Sequence, residues 1–166
     1  MEIKVTKKHE NVVLPEYATE GAAGFDLIAD SFLQLYNKHL PISFDEKLKY
    51  SIQKGYLVLR PNERLLVGTG LFMQIPQGYE LQIRDRSGLS LKKGLKVFNA
   101  PGTIDSDYRG EIGVILANLS DGLVKVQLGE RIAQGVISKV EQIKFTLAEQ
   151  LTETKRDSGG FGSTGY

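Results

Sequence analysis

Three stretches of the chain carry residue types that could do chemistry on a phosphate ester. In Arg84-Asp85-Arg86-Ser87-Gly88-Leu89-Ser90, an expected strand gives way to a short helix, with Ser87 placed to cap it. Free amides at a helix start, a hydroxyl and an arginine pull an anion the same way. Gly88 would let a phosphate approach the backbone closely. Taken alone, such a basic turn is more often just a capped helix.

The second stretch is Asn99-Ala100-Pro101-Gly102-Thr103-Ile104-Asp105-Ser106-Asp107-Tyr108-Arg109-Gly110. Proline, glycine and two aspartates between apolar runs predict a hairpin, and spacing alone favours a solvated turn. The same residues set a carboxylate, Asp105, beside an aromatic ring, Tyr108. A carboxylate can activate a water, and a ring can stack on a sugar. The third stretch is the glycine-rich tail from Arg156 to Tyr166. Its composition predicts disorder until something orders it. Backbone amides in such a run can wrap phosphates, and Arg156 would add a fixed charge. Phe161, alone in that tail, needs a surface to cover it, which a ligand base would supply.

The elements that must position these residues are short strands. Tyr56-Leu57-Val58-Leu59, Arg64 to Gly68, Tyr79 to Ile83 and Ile112 to Leu116 alternate or run apolar. Turn residues follow at Arg60-Pro61-Asn62, Ile75-Pro76-Gln77-Gly78, Ser120-Asp121-Gly122 and Leu128-Gly129-Glu130. That spacing predicts an all-β sandwich or barrel and not alternating βαβ units. Asp30 to Gly55 reads as helical instead. Ser43-Phe44-Asp45-Glu46 matches a capping box, Phe44, Leu48 and Ile52 fall on one stripe, and Gly55 fits a C-terminal stop. A helix laid against the sheet is the expectation there.

Bulk properties bound the rest. The 166 residues fit one domain, with 41% hydrophobic and 25% charged side chains. A net charge of +1 argues against a general nucleic-acid or membrane surface, so any phosphate-binding charge is local. The absence of cysteine excludes disulfides and thiolate metal sites. Met1 to Val5 carries no apolar run and no stretch reaches the length of a spanning helix, so a soluble cytoplasmic protein without a signal peptide is expected.

In their order, these segments closely resemble the five motifs of the trimeric dUTPase family. Ala23-Gly24-Phe25-Asp26-Leu27 resembles the first motif and Arg86-Ser87-Gly88-Leu89 the second. Gly102 to Gly110 resembles the third, Gly129-Glu130-Arg131-Ile132-Ala133-Gln134 the fourth, and Arg156 with Gly159 to Gly165 the fifth. The resemblance runs from about Ile3 to Gly165, apart from Asp30–Gly55. It implies a jelly-roll-like all-β fold with one short helix, a homotrimer, and active sites shared between chains. It further implies hydrolysis of dUTP to dUMP and pyrophosphate with Mg²⁺, which keeps uracil out of DNA.

Carried over by motif, Asp105 would orient and deprotonate the attacking water, and Tyr108 would pack on the deoxyribose. Asn99, Gly102 and Ile104 would read uracil. Arg86, Ser87, Gly88 and Gln134 would hold the phosphates. Arg156, Ser163 and Thr164 would grip the terminal phosphate, with Phe161 and Gly162 closing over the base. Asp26 would act through the water shell of a Mg²⁺ chelated mainly by the triphosphate.

Three positions depart from the family pattern: Asp85, Asp157 and the long segment 31–54. Strand alternation turns Asp85 away from Arg86, with Arg84 as its expected partner. Segment 31–54 reads as a surface decoration, with docking of a protein partner the sharper alternative. The nearest enzymatic rival is dCTP deaminase, which shares the fold but places a catalytic glutamate three residues before an asparagine. Ile115 holds that place before Asn118. A regulatory protein on the same scaffold is the rival from outside enzymology.

Overall fold

Alternation of buried and open side chains builds the sheets. β2 (Phe25–Ile28) and β4 (Tyr56–Leu59) each bury every second residue, which is what a strand does when one face meets a core. The computed structural model describes residues 1–36 and 53–160. Among the described residues the remaining strands are β1 (Lys4–Lys7), β3 (Ser31–Tyr36), β5 (Arg64–Gly68), β6 (Leu71–Gln74), β7 (Tyr79–Arg84), β8 (Leu95–Val97), β9 (Gly102–Ile104), β10 (Gly113–Asn118), β11 (Val124–Gln127) and β12 (Arg131–Lys139). A helix, α1 (Ser87–Lys93), lies between β7 and β8.

Two four-stranded sheets, in the orders β3-β5-β10-β8 and β2-β12-β7-β9, enclose the core, with pairs β1-β6 and β11-β4 beside them. All named pairings are antiparallel. Leu27, Leu57, Leu59, Leu65, Leu81, Leu116 and Ile132 are fully buried between the layers. Each such side chain contributes roughly 1.5–3 kcal/mol by leaving water. The expected all-β, jelly-roll-like architecture is what forms, and the expected turns end the expected strands. Asn62, Gly78 and Gly129 each take a positive φ at those turns.

The helical expectation for Asp30–Gly55 is corrected at its start. Ser31–Tyr36 is strand β3, paired antiparallel with β5. A β-bulge between Phe32 and Gln34 sets an extra residue into the strand. It leaves Phe32 (3% exposed) and Leu35 (2% exposed) as the core residues. The helical signals, the Ser43–Glu46 capping box and the Phe44, Leu48 and Ile52 stripe, all lie beyond β3, and extending them back to Asp30 is what misleads. Gln53 and Lys54 are helical and end at Gly55 with φ 68°, as a glycine stop requires. The capping box at Ser43–Glu46 and the stripe of Phe44, Leu48 and Ile52 lie outside the described residues.

The expected hairpin around Asn99–Gly110 also takes another form. β8 and β10 do pair, with Val97 opposite Leu116. The chain between them, however, crosses to the other sheet, where β9 pairs with the edge of β7 and Gly102 stands opposite Ile83. One excursion therefore joins both sheets.

Candidate active site

Three chain segments meet at one end of the β2-β12-β7-β9 sheet. Register places Asp26 of β2 opposite Gln134 of β12, and Gln134 opposite Arg84 of β7, just before the turn into α1. Asp26, Arg86, Ser87, Gly88, Arg131 and Gln134 line one cavity of about 340 Å³. The Arg86 Nε forms an ion pair with Asp26 Oδ1 at 2.8 Å, and Arg131 Nη1 donates to Asp26 Oδ2 at 3.2 Å. Arg86 Nη1 also donates to the Arg131 carbonyl at 3.0 Å. Gln134 Nε2 donates to the Asp85 carbonyl at 2.8 Å, tying β12 to the turn. Two guanidinium groups held by one carboxylate, beside a free helix start, form a concave cationic site suited to phosphate oxygens.

Ser87 is not the cap. Arg86 occupies that position with extended backbone (φ −94°, ψ 122°) and makes no side-chain cap bond. Ser87 thus begins the helix with an exposed hydroxyl. A side chain built at Gly88 would meet nothing within 4 Å, so the space above the helix start is open for a ligand. At the other end Gly94 closes the helix at φ 62°, and Lys93 Nζ reaches Glu130 Oε1 at 2.5 Å.

Asp85 does not pair with Arg84. Its Oδ1 accepts the Val97 amide at 2.6 Å and its Oδ2 faces Lys96 Nζ at 3.4 Å. Arg84 turns to Gln82 instead, with Nη2 at 2.6 Å from Gln82 Oε1. The carboxylate therefore serves the end of β8 and is taken out of competition with the cationic cavity.

A second cavity, about 360 Å³, gathers Ile83, Asn99, Gly102, Ile104, Tyr108 and Ile115 among its lining residues. A Cβ at Gly102 would stand 3.1 Å from Asn99 Nδ2, so glycine allows the Asn99 amide to lie against the strand. Tyr108 is exposed on one side, and its hydroxyl donates to the Glu111 carbonyl at 3.1 Å. The expected nucleoside-reading residues are thus brought together.

Asp105 is exposed and lines a separate groove of about 890 Å³ with Pro76, Tyr79, Glu80, Thr103 and Arg109. The Tyr108 amide donates to its carbonyl at 3.2 Å. Register continues from the Ile104–Leu81 pair to set Asp105 level with Glu80. Strand β7 runs on from Glu80 to Arg84, about 13 Å at ~3.3 Å per residue, before the turn that carries Arg86. One chain therefore does not bring Asp105 to the phosphate cavity.

Arg156 is exposed, and its Nε donates to the Gly159 carbonyl at 2.9 Å within its own segment. Asp157 sits at φ 43°, with its amide bonded to Thr154 Oγ1 at 3.0 Å. Phe161, Gly162, Ser163 and Thr164 lie outside the described residues. Among the described residues no group of three His, Cys, Asp or Glu side chains could cage a metal. Asp26, the one carboxylate among the residues lining the cationic cavity, would suit an ion met through water better than one caged by the protein.

Sequence reasoning gave Arg131 no role, although it is the second partner of Asp26. A regular strand would put Arg131 and Gln134 on opposite faces. The bulge between Arg131 and Ala133 returns them to one face, and no residue type announces it.

The dUTPase family model matches residues 44–165. The deoxyuridine 5'-triphosphate nucleotidohydrolase of Helicobacter pylori strain J99 is 47% identical over 165 residues, covering 99% of this chain and 97% of its own. The protein of the same description from Hydrogenobaculum sp. is 48% identical, with 99% of both chains covered. In fold, the chain is similar to the dUTPase of Staphylococcus bacteriophage 80alpha solved with dUPNHPP, at a TM-score of 0.77, 24% identity and 99% coverage of both chains. With the motif residues gathered on one β fold and a family match over most of its length, this chain belongs to the dUTPase family.

Proposed function

We propose that the protein hydrolyses dUTP to dUMP and pyrophosphate at sites completed between the chains of a homotrimer, in the cytoplasm. The observation that carries the reading is a division of labour among three places: a cationic cavity at Asp26, Arg86 and Arg131, a cavity at Asn99, Gly102 and Tyr108 walled by both sheets, and an exposed carboxylate, Asp105, in a groove of its own. An attacking water must sit roughly 3–3.5 Å from phosphorus, and in one chain Asp105 and Arg86 line separate cavities with no residue in common. Asp105 of one chain therefore serves phosphates held by Arg86, Ser87, Gly88 and Gln134 of another.

Within that site Asp105 takes a proton from the water that attacks the α-phosphorus. The pair Arg86 and Arg131 spreads charge from a triphosphate that carries about four negative charges near neutral pH. Mg²⁺ chelated by the triphosphate, and met by Asp26 through water, would neutralise more of that charge. Tyr108 packs on the sugar, and Asn99, Gly102 and Ile104 read the base. Arg156, Phe161, Gly162, Ser163 and Thr164 close the site as a C-terminal arm.

The stretch before that arm supports the trimer. Ile143 (71% exposed), Phe145 (87%), Leu147 (99%) and Leu151 (85%) leave their apolar surface open in the single chain. Ile143, Phe145 and Leu147 alternate, as one face of an extended segment does. Such a stripe needs a surface, and a neighbouring copy provides one. Deamination of dCTP is disfavoured because Ile115, and no carboxylate, faces the nucleoside cavity from β10.

The test is pyrophosphate release with Mg²⁺ from dUTP, dTTP, dCTP and UTP in parallel. Turnover confined to dUTP supports the reading; equal turnover of all four, or ammonia release from dCTP, contradicts it.

A further inference from the structure

We infer that Glu111 is a positioning residue for Tyr108 and, through it, a determinant of selectivity for deoxyribose over ribose. The inference rests on the proposed place of Tyr108 against the sugar.

The Tyr108 ring folds back over its own chain. A side chain at Gly110 would collide with the Tyr108 hydroxyl and ring, so glycine there makes room for it. The hydroxyl then donates to the Glu111 carbonyl at 3.1 Å. The position of the ring is therefore set by the backbone of 110–111. That backbone is fixed from the far side. The Ile112 amide donates to the Leu71 carbonyl at 2.8 Å, while the Thr69 amide and Oγ1 donate to the Ile112 carbonyl at 3.1 and 2.8 Å.

The Glu111 carboxylate completes the clamp. Its Oε1 accepts the Gly70 amide at 2.9 Å, and its Oε2 pairs with Lys8 Nζ at 3.0 Å. Gly70 stands at φ 69°, with Val12 and Asp30 packed where a side chain would go, so that amide has little freedom to move. Glu111 also lines the nucleoside cavity with Tyr108. Charge-assisted bonds from a mostly covered carboxylate are the stronger kind. Removing them lets the 108–111 segment drift, and the sugar wall with it. A wall that yields admits a 2′-hydroxyl.

The test measures kcat and KM for dUTP and UTP in Glu111→Gln, Glu111→Ala, Tyr108→Ala and the double variant, with Lys8→Met beside them. We expect Glu111→Ala to narrow the dUTP-over-UTP ratio of kcat/KM by about tenfold, mainly through KM. Glu111→Gln keeps an acceptor for the Gly70 amide and restores most of the ratio. In the Tyr108→Ala background, Glu111→Ala changes the ratio no further. Should Glu111→Ala fail to fold, Lys8→Met reads the same clamp from a more exposed side and narrows the ratio by a smaller factor. An unchanged ratio with a lowered melting temperature would make Glu111 a plain structural pin and overturn the inference. A ratio narrowed equally without Tyr108 would overturn it too. If Tyr108→Ala itself leaves the ratio unchanged, the role of Tyr108 falls first; if only the Glu111 variants leave it unchanged, that role stands and the clamp does not.

Discussion

The phosphate cavity and the C-terminal stretch differ in what holds them. Asp26, Arg86, Arg131 and Gln134 are set by strand register and by bonds within one chain. From Ile143 to Leu151 the apolar side chains are open, and among the described residues Arg156 bonds to Gly159 of its own segment. The first region is preorganised and so costs little to bind a ligand. On the proposed assembly, the second gains its surface from another chain or from a ligand. The difference separates what one chain can build from what needs the assembly.

The largest expected effect falls on chemistry. Asp105→Asn keeps the shape of the loop and removes the base, so kcat falls by about 10²–10⁴ with dUTP binding nearly intact; single-turnover kinetics with a binding isotherm check both halves. Near-normal turnover would remove Asp105 from its role. Next comes truncation after Lys155, which deletes the closing arm and leaves Ile143 to Leu151. Most activity should be lost, on the order of a hundredfold, while light scattering still reports trimers. Monomers would mean that the arm itself holds the assembly.

Phe145→Asp tests the other half of the comparison. In the single chain this ring is in water, so the change would be nearly neutral, within ~0.5 kcal/mol. In a trimer that covers it, a buried unpaired charge should dissociate the subunits at micromolar concentration and take activity with it. Unchanged trimers would show that the stripe is not an interface. Arg86→Lys is the mildest change. A lysine keeps the charge but loses the fork that reaches Asp26 and the Arg131 carbonyl, so KM should rise about tenfold with a smaller change in kcat.

Much of this was legible in the sequence. Alternation and turn residues marked β4, β5, β7 and β10, because a half-buried strand writes its burial directly into residue type. The motif order gave Arg86, Ser87, Gly88 and Gln134 to the phosphates and Asp26 to the water shell of the metal, and one cavity gathers all five. What stayed hidden depends on irregularities. β3 was missed because the helical signals at Ser43–Ile52 were carried back over it, and the bulge at Arg131–Ala133 concealed the second arginine of the cationic cavity. Asp85 found Lys96 and the Val97 amide because α1 folds β8 back beside the turn, a tertiary contact that local alternation does not encode. No residue pattern marks Glu111, since its partners Lys8 and Gly70 are distant in sequence.

The central claim, that each site joins Asp105 of one chain to the phosphate cavity of another, is tested most directly by mixing two dead variants. Asp105→Asn and Arg86→Ala trimers would each be dissociated, combined and reassembled, and dUTP turnover measured against each variant alone. If the sites are shared, mixed trimers contain some pairings of an intact Asp105 with an intact Arg86, and activity returns to a sizeable fraction of the native value. If one chain built the whole site, every site would keep one defect. Mixed trimers verified by mass spectrometry yet as inactive as their parents would contradict the account.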